Sequence, residues 1–172
     1  MTMQRELQLR QRIRIVTALF IMGLVVSGAT AIPLVSEIDW LVKVTGGNKL
    51  AYTEVAPLIS WAEWLTRVQA GLHSVTDSHP FLSYGTDWLA FGHFVIALAF
   101  IGAICDPVRN IWIFNFGMIA CALLVPYAFA FGAIRRIPIW WRCIDCCFGV
   151  VGIIPLWFCR KWSRELELRQ RG

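Results

Sequence analysis

The order of apolar and polar residues along the chain predicts four membrane-spanning helices. A bilayer core of about 30 Å is crossed by roughly 20 apolar residues in an α-helix. Four runs of the sequence approach this length, over residues 15–34, 88–105, 111–134 and 142–159. Pro126 lies inside the third run and predicts a kink there, because proline removes one hydrogen bond of the helix.

The fourth predicted span is the shortest in uncharged residues. Its uncharged run, Cys146–Cys159, has 14 residues, which extend about 21 Å as a helix. A spanning helix therefore begins near Arg142 and carries Asp145 into the outer leaflet. A carboxylate inside a membrane needs a partner, so we expect Asp145 to be ionised and paired with arginine. Asp145 shares one helix face with Gly149 and Gly152, where another helix would approach closely.

The segment between the first two spans, residues 36–86, is too polar to cross the membrane and rich in aromatic residues. Glu63 and Arg67 stand four residues apart on its polar side, and Trp61 and Trp64 flank its apolar side. The apolar residues recur at three- and four-residue spacing, at Val55, Leu58, Ala62, Leu65, Val68 and Leu72. This pattern predicts an amphipathic helix that lies on the outer face of the bilayer.

The distribution of lysine and arginine predicts that both termini are cytoplasmic. Ten of the 16 basic residues lie before the first span, after the fourth span or in the turn at Arg109. Such residues stay on the cytoplasmic side, so the number of spans is even. Arg135, Arg136 and Arg142 depart from the rule, and their density in one outward loop suggests that they face something acidic.

A cleavable secretory signal is an alternative interpretation of residues 1–31. An arginine-rich start, an apolar core and Ala29-Thr30-Ala31 are typical of such signals. Against it, the apolar run continues beyond Ala31. Small residues at Gly23, Ser27 and Ala31 also form a stripe suited to close helix contact, which a discarded signal does not need.

Composition supports one all-α integral membrane domain over residues 1–172, a four-helix bundle. The chain is 58% hydrophobic and only 16% charged, with a net charge of +5. Such a chain buries surface readily, which excludes a disordered protein. The positive charge is accounted for by membrane topology, so nucleic acid is not a predicted partner. The bilayer is the predicted partner, with other membrane subunits or a second copy of the chain as further candidates.

The outer ends of the second, third and fourth spans hold the best candidate binding site. Its residues are ionisable and of both signs: Asp87, Arg135, Arg136, Arg142 and Asp145. Two interpretations stay open. The cluster is either an ion-pair clamp that fixes the register of the helices, or a site for a ligand or a proton.

His93 is the only histidine within the predicted spans. Haem ligation across a bundle would need a second one, so no haem is predicted. A histidine that packs between helices, or that supports a quinone or proton site, fits better. We include His93 among the candidate binding residues.

Cys143 and Cys146 form a Cys-x-x-Cys motif at the outward start of the fourth span. A helix start lowers the pKa of a thiol, so a redox role is one hypothesis. The position resembles that of the cysteine pair in membrane thiol oxidoreductases of the vitamin K epoxide reductase type, beside a quinone. Those proteins use a further pair in an outward segment, and residues 36–86 contain no cysteine. Packing cysteines are the alternative, and a zinc site is not predicted because one helix face cannot supply a tetrahedron.

Several runs resemble an uncharacterised family of small bacterial multipass membrane proteins with no assigned activity. The runs are Tyr84-Gly-Thr-Asp-Trp-Leu-Ala-Phe, Asp106-Pro-Val-Arg-Asn-Ile-Trp, Gly117-Met-Ile-Ala-Cys and Ile137-Pro-Ile-Trp-Trp-Arg-Cys-Ile-Asp. The resemblance covers residues 61–162 and implies a bacterial cytoplasmic membrane. It implies no functional residue.

The function that the sequence favours is non-enzymatic. We expect a small subunit, an accessory factor or a protein that binds an anionic ligand at its outward arginines, with no cofactor. The alternative is a membrane thiol or quinone oxidoreductase that uses Cys143 and Cys146.

Overall fold

A computed structural model describes residues 2–45 and 61–171, and within these ranges the chain is helical and contains no strand. A short 3-10 helix covers Pro80–Ser83. The α-helices are α1 (Thr2–Ala31), α2 (Leu34–Thr45), α3 (Trp61–Ser78), α4 (Tyr84–Cys105), α5 (Ile111–Ile134) and α6 (Ile139–Arg171). The predicted all-α fold class is confirmed.

Four helical segments are long and apolar enough to cross a membrane: Met3–Ala31, Pro80–Cys105, Ile111–Ile134 and Ile139–Arg171. This confirms the predicted number of spans and makes the chain a small membrane protein. The first span ends at Ala31 rather than Leu34, and the fourth begins at Ile139 rather than Arg142. The third has the predicted bounds. The second begins before Trp88, because Pro80 fits the first turn of a helix and Asp87 is favourable in the first turn of α4.

The chain divides into two compact units, and the first consists of Met1–Leu24 and Val95–Gly172. Phe100 is central to its core, with ring centroids 4.9 Å from Phe20 and 6.3 Å from Phe114. All four spans contribute buried residues to this core: Ile13, Phe100, Ala103, Ile113, Phe114, Leu156 and Cys159. The first unit is therefore a four-helix bundle.

Both ends of the chain are helical extensions of the first unit. α1 begins at Thr2 rather than Ile15, and α6 continues to Arg171, because arginine, glutamate and glutamine are good helix formers. Arg5 Nη2 of α1 lies 3.1 Å from Glu165 Oε1 of α6. The two termini therefore lie at the same end of the bundle, as an even number of spans requires.

Glycines allow α5 and α6 to approach closely in the first unit. A Cβ added at Gly149 would lie 2.7 Å from the carbonyl oxygen of Cys121, and one at Gly152 would lie 2.9 Å from Cys121 Sγ. The prediction that this glycine face meets another helix is confirmed. At Gly117 of α5 the reverse contact occurs, because an added Cβ would lie 2.8 Å from Leu156 Cδ1.

The second unit, Val25–Phe94, contains α2, α3 and parts of α1 and α4. α3 agrees with the predicted amphipathic helix, with Ala62 and Leu65 buried. Val55 and Leu58 lie outside the described residues. α2 was not predicted, although its buried residues Ile38 and Val42 stand one helical turn apart and apolar residues such as Trp40 are exposed.

The close contact of α1 in the second unit is made by Gly28. A Cβ at Gly28 would lie 2.9 Å from Phe94 Cε1 and 3.0 Å from the carbonyl oxygen of Ala90. At Gly23 an added Cβ would meet no described atom within 4 Å. The prediction that the face of Gly23, Ser27 and Ala31 makes the close contact is therefore wrong, because Gly28 makes it. Small side chains alone do not specify which face of a helix is covered.

Candidate functional site

Arg135 and Arg136 lie in the turn that ends α5. Arg135 is the C-cap residue, the backbone N-H of Arg136 donates to Ala133 O at 3.1 Å, and that of Ile137 donates to Gly132 O at 2.8 Å. This pair of hydrogen bonds is the Schellman motif, which places the residue after the C-cap in the left-handed region. Arg136 occupies that position with φ 56°.

Glycine is the usual residue at this position, because a Cβ is unfavourable at positive φ. Arginine there carries a conformational cost and holds its side chain in the exposed turn between α5 and α6. Strained residues of this kind cluster at functional sites. The backbone geometry therefore singles out Arg136 among the three arginines near the α5–α6 turn.

Arg142 is fixed against the end of α5. Its Nε donates to Ile137 O at 2.7 Å. A Cβ added at Gly132 would lie 2.7 Å from Arg142 Cδ and 2.8 Å from its Cγ. The absence of a side chain at Gly132 thus creates the space for Arg142, which lies beside the turn that carries Arg135 and Arg136.

These three arginines have no carboxylate partner among the described residues. The ion pairs of residues 2–45 and 61–171 are formed elsewhere, within α3, between α2 and α3, and at the chain ends. The structure brings Arg135, Arg136 and Arg142 together at one turn. Their common binding role stays a prediction.

Among the described residues, Asp145 lacks the arginine partner that the sequence predicts for it. It is partly buried in α6 and forms no ion pair with a described residue. Helical side chains lean towards the N-terminus of their helix, and Arg142 follows this rule by reaching Ile137 and Gly132. Arg142 therefore points away from Asp145, although the two residues are only three positions apart.

Asp87 lies in the second unit, on an aromatic face of α4. Together with Tyr84, Trp88 and Phe91 it lines an open groove of about 300 Å³. The Trp88 ring makes edge contacts with Tyr84 and Phe91, with centroids 6.0 Å and 5.7 Å away. The carboxylate also favours the start of α4 through the helix dipole. Its grouping with the arginines stays a prediction.

His93 packs between α4 and α1 in the second unit. Its Nδ1 is 2.8 Å from Leu89 O, one turn earlier in the same helix. Its Cβ would lie 3.0 Å from a Cβ added at Gly28. The contact with Gly28 supports the interpretation of His93 as a helix-packing residue.

All six cysteines are free thiols. Cys143 is exposed and Cys146 partly buried, one helical turn apart in α6. Cys159 is buried, with its Sγ 3.7 Å from Thr17 Oγ1 of α1, as a packing cysteine would be. Within the described ranges, no group of three side chains is arranged to hold a metal ion.

Sequence reasoning missed a polar cluster between α2 and α3. Asp39 Oδ1 accepts a hydrogen bond from Gln69 Nε2 at 2.7 Å and lies 2.9 Å from His73 Nε2. The hydrogen bond from Gln69, followed by that from His73, lowers the pKa of Asp39. The hydrogen bond to Asp39 raises the pKa of His73. The i, i+4 spacing of Gln69 and His73 places both side chains on one face of α3. This spacing indicates a polar cluster only when α2, which carries Asp39, is recognised as a neighbouring helix.

No protein-family model, no curated protein and no solved structure matches this chain.

Proposed function

We propose that the protein is a non-enzymatic membrane protein that binds an anionic group at the turn between α5 and α6. The observation that carries this proposal is Arg136, an arginine in the left-handed position that favours glycine. Arg135 precedes it, and Arg142 is held beside it by Ile137 and Gly132. No described carboxylate neutralises them.

Guanidinium groups suit this role chemically. Each is planar, permanently charged and able to donate two parallel hydrogen bonds to a phosphate or carboxylate. Arg142 uses its Nε internally, so its terminal nitrogens are left for a ligand. A ligand with at least two anionic oxygens would bridge Arg136 and Arg142.

Titration calorimetry of the detergent-purified protein with inorganic phosphate and with citrate tests the proposal. We expect Arg136→Gln and Arg142→Gln each to weaken binding at least tenfold for whichever of the two anions binds the wild type more tightly. Arg67→Gln is the matched control, because Arg67 is an exposed arginine paired with Glu63 in α3. If the control weakens binding as much as Arg136→Gln, the α5–α6 turn is not the site.

We also propose that the protein resides in a bacterial cytoplasmic membrane with both termini in the cytoplasm. The basic residues at the chain ends support this orientation. A reporter that is active only in the periplasm should be silent when fused after Gly172 and active when inserted between Arg136 and Ile137. The reverse pattern would refute the orientation and would leave the four-span fold intact.

A second candidate function is thiol or quinone oxidoreduction. It is favoured by the exposure of Cys143 one turn before Cys146. Under this hypothesis the pair changes between dithiol and disulfide in the membrane, while the binding hypothesis tolerates Cys143→Ser with Cys146→Ser. Thiol labelling of membranes after oxidant or reductant treatment distinguishes them.

A further inference from the structure

The basic residues at the terminal end of the first unit fall into two groups. Three arginines form ion pairs: Arg5 and Arg169 with Glu165, both at 3.1 Å, and Arg171 with Glu167 at 2.6 Å. Seven have no carboxylate partner among the described residues. We name these seven the basic belt: Arg10, Arg12, Arg14, Arg109, Arg160, Lys161 and Arg164.

The two groups are separated by their distance from the apolar spans. In α1 the belt arginines lie one to five residues before the apolar run that begins at Ile15, whereas Arg5 lies ten residues before it. In α6 the belt follows Cys159 by one to five residues, and Arg169 follows it by ten. At about 1.5 Å per residue, the belt lies within about 8 Å of the apolar runs and the paired arginines about 15 Å away.

Tryptophans place the belt at the headgroup level. Trp112 is 57% exposed and stands one turn after Arg109, and Trp157 is 44% exposed and stands one turn before Lys161. Lys161 Nζ lies 5.3 Å from the centre of the Trp157 ring. Exposed tryptophans of membrane proteins prefer the boundary between hydrocarbon and headgroups.

The nearby carboxylate of Asp106 forms no ion pair with a belt residue. Its Oδ1 accepts the backbone N-H groups of Val108 and Arg109 at 3.2 Å and 3.1 Å. Arg14 Nε donates to Ile104 O at 3.1 Å, which fixes the guanidinium at the mouth of the same turn. Arg14 is thus oriented by a neutral group, and no belt residue forms an ion pair with a carboxylate of the described residues.

We infer that the basic belt binds the phosphate groups of anionic phospholipids in the leaflet that adjoins the chain termini. The basic residues without a carboxylate partner are confined to the depth where lipid phosphates lie. The basic residues farther from the apolar spans are paired with glutamates. Arginine and lysine near an anionic leaflet bind it electrostatically. This inference is independent of the anion site at the α5–α6 turn.

Lipid binding by matched charge variants tests the inference. The belt variant carries Arg12→Gln, Arg109→Gln and Arg164→Gln, and the control carries Arg5→Gln, Arg169→Gln and Arg171→Gln. Both lose three positive charges. The full chain in neutral detergent is titrated with micelles containing phosphatidylglycerol or phosphatidylcholine, and retained lipid is counted by native mass spectrometry.

We expect the belt variant to bind phosphatidylglycerol at least tenfold more weakly than wild type and the control to bind it within twofold. Phosphatidylcholine should be retained equally by all three proteins. Equal losses in belt variant and control would overturn the inference in favour of net charge alone. So would competition by inorganic phosphate at millimolar concentration, which would show a free-anion site.

A lysine version of the belt variant guards against misfolding. Arg12→Lys, Arg109→Lys and Arg164→Lys keep the charge, so we expect phosphatidylglycerol binding within threefold of wild type. If the lysine version loses binding as fully as the glutamine version while both remain folded monomers, charge at headgroup depth is not the cause, and the inference fails.

Discussion

Arg136 combines an unfavourable backbone conformation with an exposed positive charge. Because glycine accepts positive φ without a Cβ penalty, Arg136→Gly should stabilise the protein by about 1 kcal/mol. The same change should weaken anion binding at the α5–α6 turn. Thermal unfolding and calorimetry on one preparation measure both effects. Loss of stability with unchanged binding would show that the arginine serves the fold alone.

The structure reverses the expected effect of removing the charge of Asp145. An ion pair with arginine would make the loss of this charge destabilising. Asp145 forms no ion pair with a described residue. Replacing its carboxylate by a neutral amide therefore removes no stabilising ion pair. We therefore expect Asp145→Asn to leave the melting temperature unchanged or raise it. Asp106→Ala is the control and should lower it, because it removes the oxygen that accepts the backbone N-H groups of Val108 and Arg109 in the turn before α5. A larger drop for Asp145→Asn would point to an ion pair after all.

The close contact between α5 and α6 depends on the absence of a side chain at Gly149. An alanine Cβ there would lie 2.7 Å from a backbone carbonyl of α5, and backbone cannot yield as a side chain does. We expect Gly149→Ala to destabilise by about 1–3 kcal/mol. Gly23→Ala has open space and should be neutral or stabilising by up to about 1 kcal/mol. Melting in detergent compares the two, and equal effects would contradict the close contact.

The contact between α2 and α3 should depend on pH. The pKa of His73 is raised above its ordinary value of 6.5 by Asp39, so the contribution of protonated His73 is complete below pH 6.5 and is lost as pH rises through the raised value. The pKa of Asp39 is lowered from 3.8, so its contribution is present above pH 3.8 and is lost as pH falls through the lowered value. The contact is therefore strongest between these limits.

NMR titration of the His73 ring measures this coupling. Asp39→Asn should return the pKa of His73 towards 6.5, because it replaces the charged carboxylate that accepts from the ring with a neutral amide. Glu37→Gln, on the same helix, should leave the titration of His73 as it is in the wild type. A His73 titration that Asp39→Asn does not move would argue against the α2–α3 hydrogen bond.

At the scale of the whole molecule, the four spans were predictable because length and hydropathy are properties of each segment alone. The glycine face of α6 was also predictable, from its period. The direction of Arg142 was not, because it depends on the space left by Gly132 in another helix. α2 escaped for a related reason, since its partner α3 decides which of its apolar residues are buried.

The contact between the first and last helices has a consequence for biogenesis. Thr17 and Cys159 meet across a sequence separation of 142 residues, so α1 enters the membrane long before the ribosome has made its neighbour. Until then Ile13 and Thr17 have lipid or an insertion factor in place of α6. A chain that stops at Ile137 should be degraded faster in pulse-chase experiments than one that stops at Arg164 and retains Cys159. Closure of this bundle therefore follows the synthesis of α6, and membrane proteases can act on the open bundle until then.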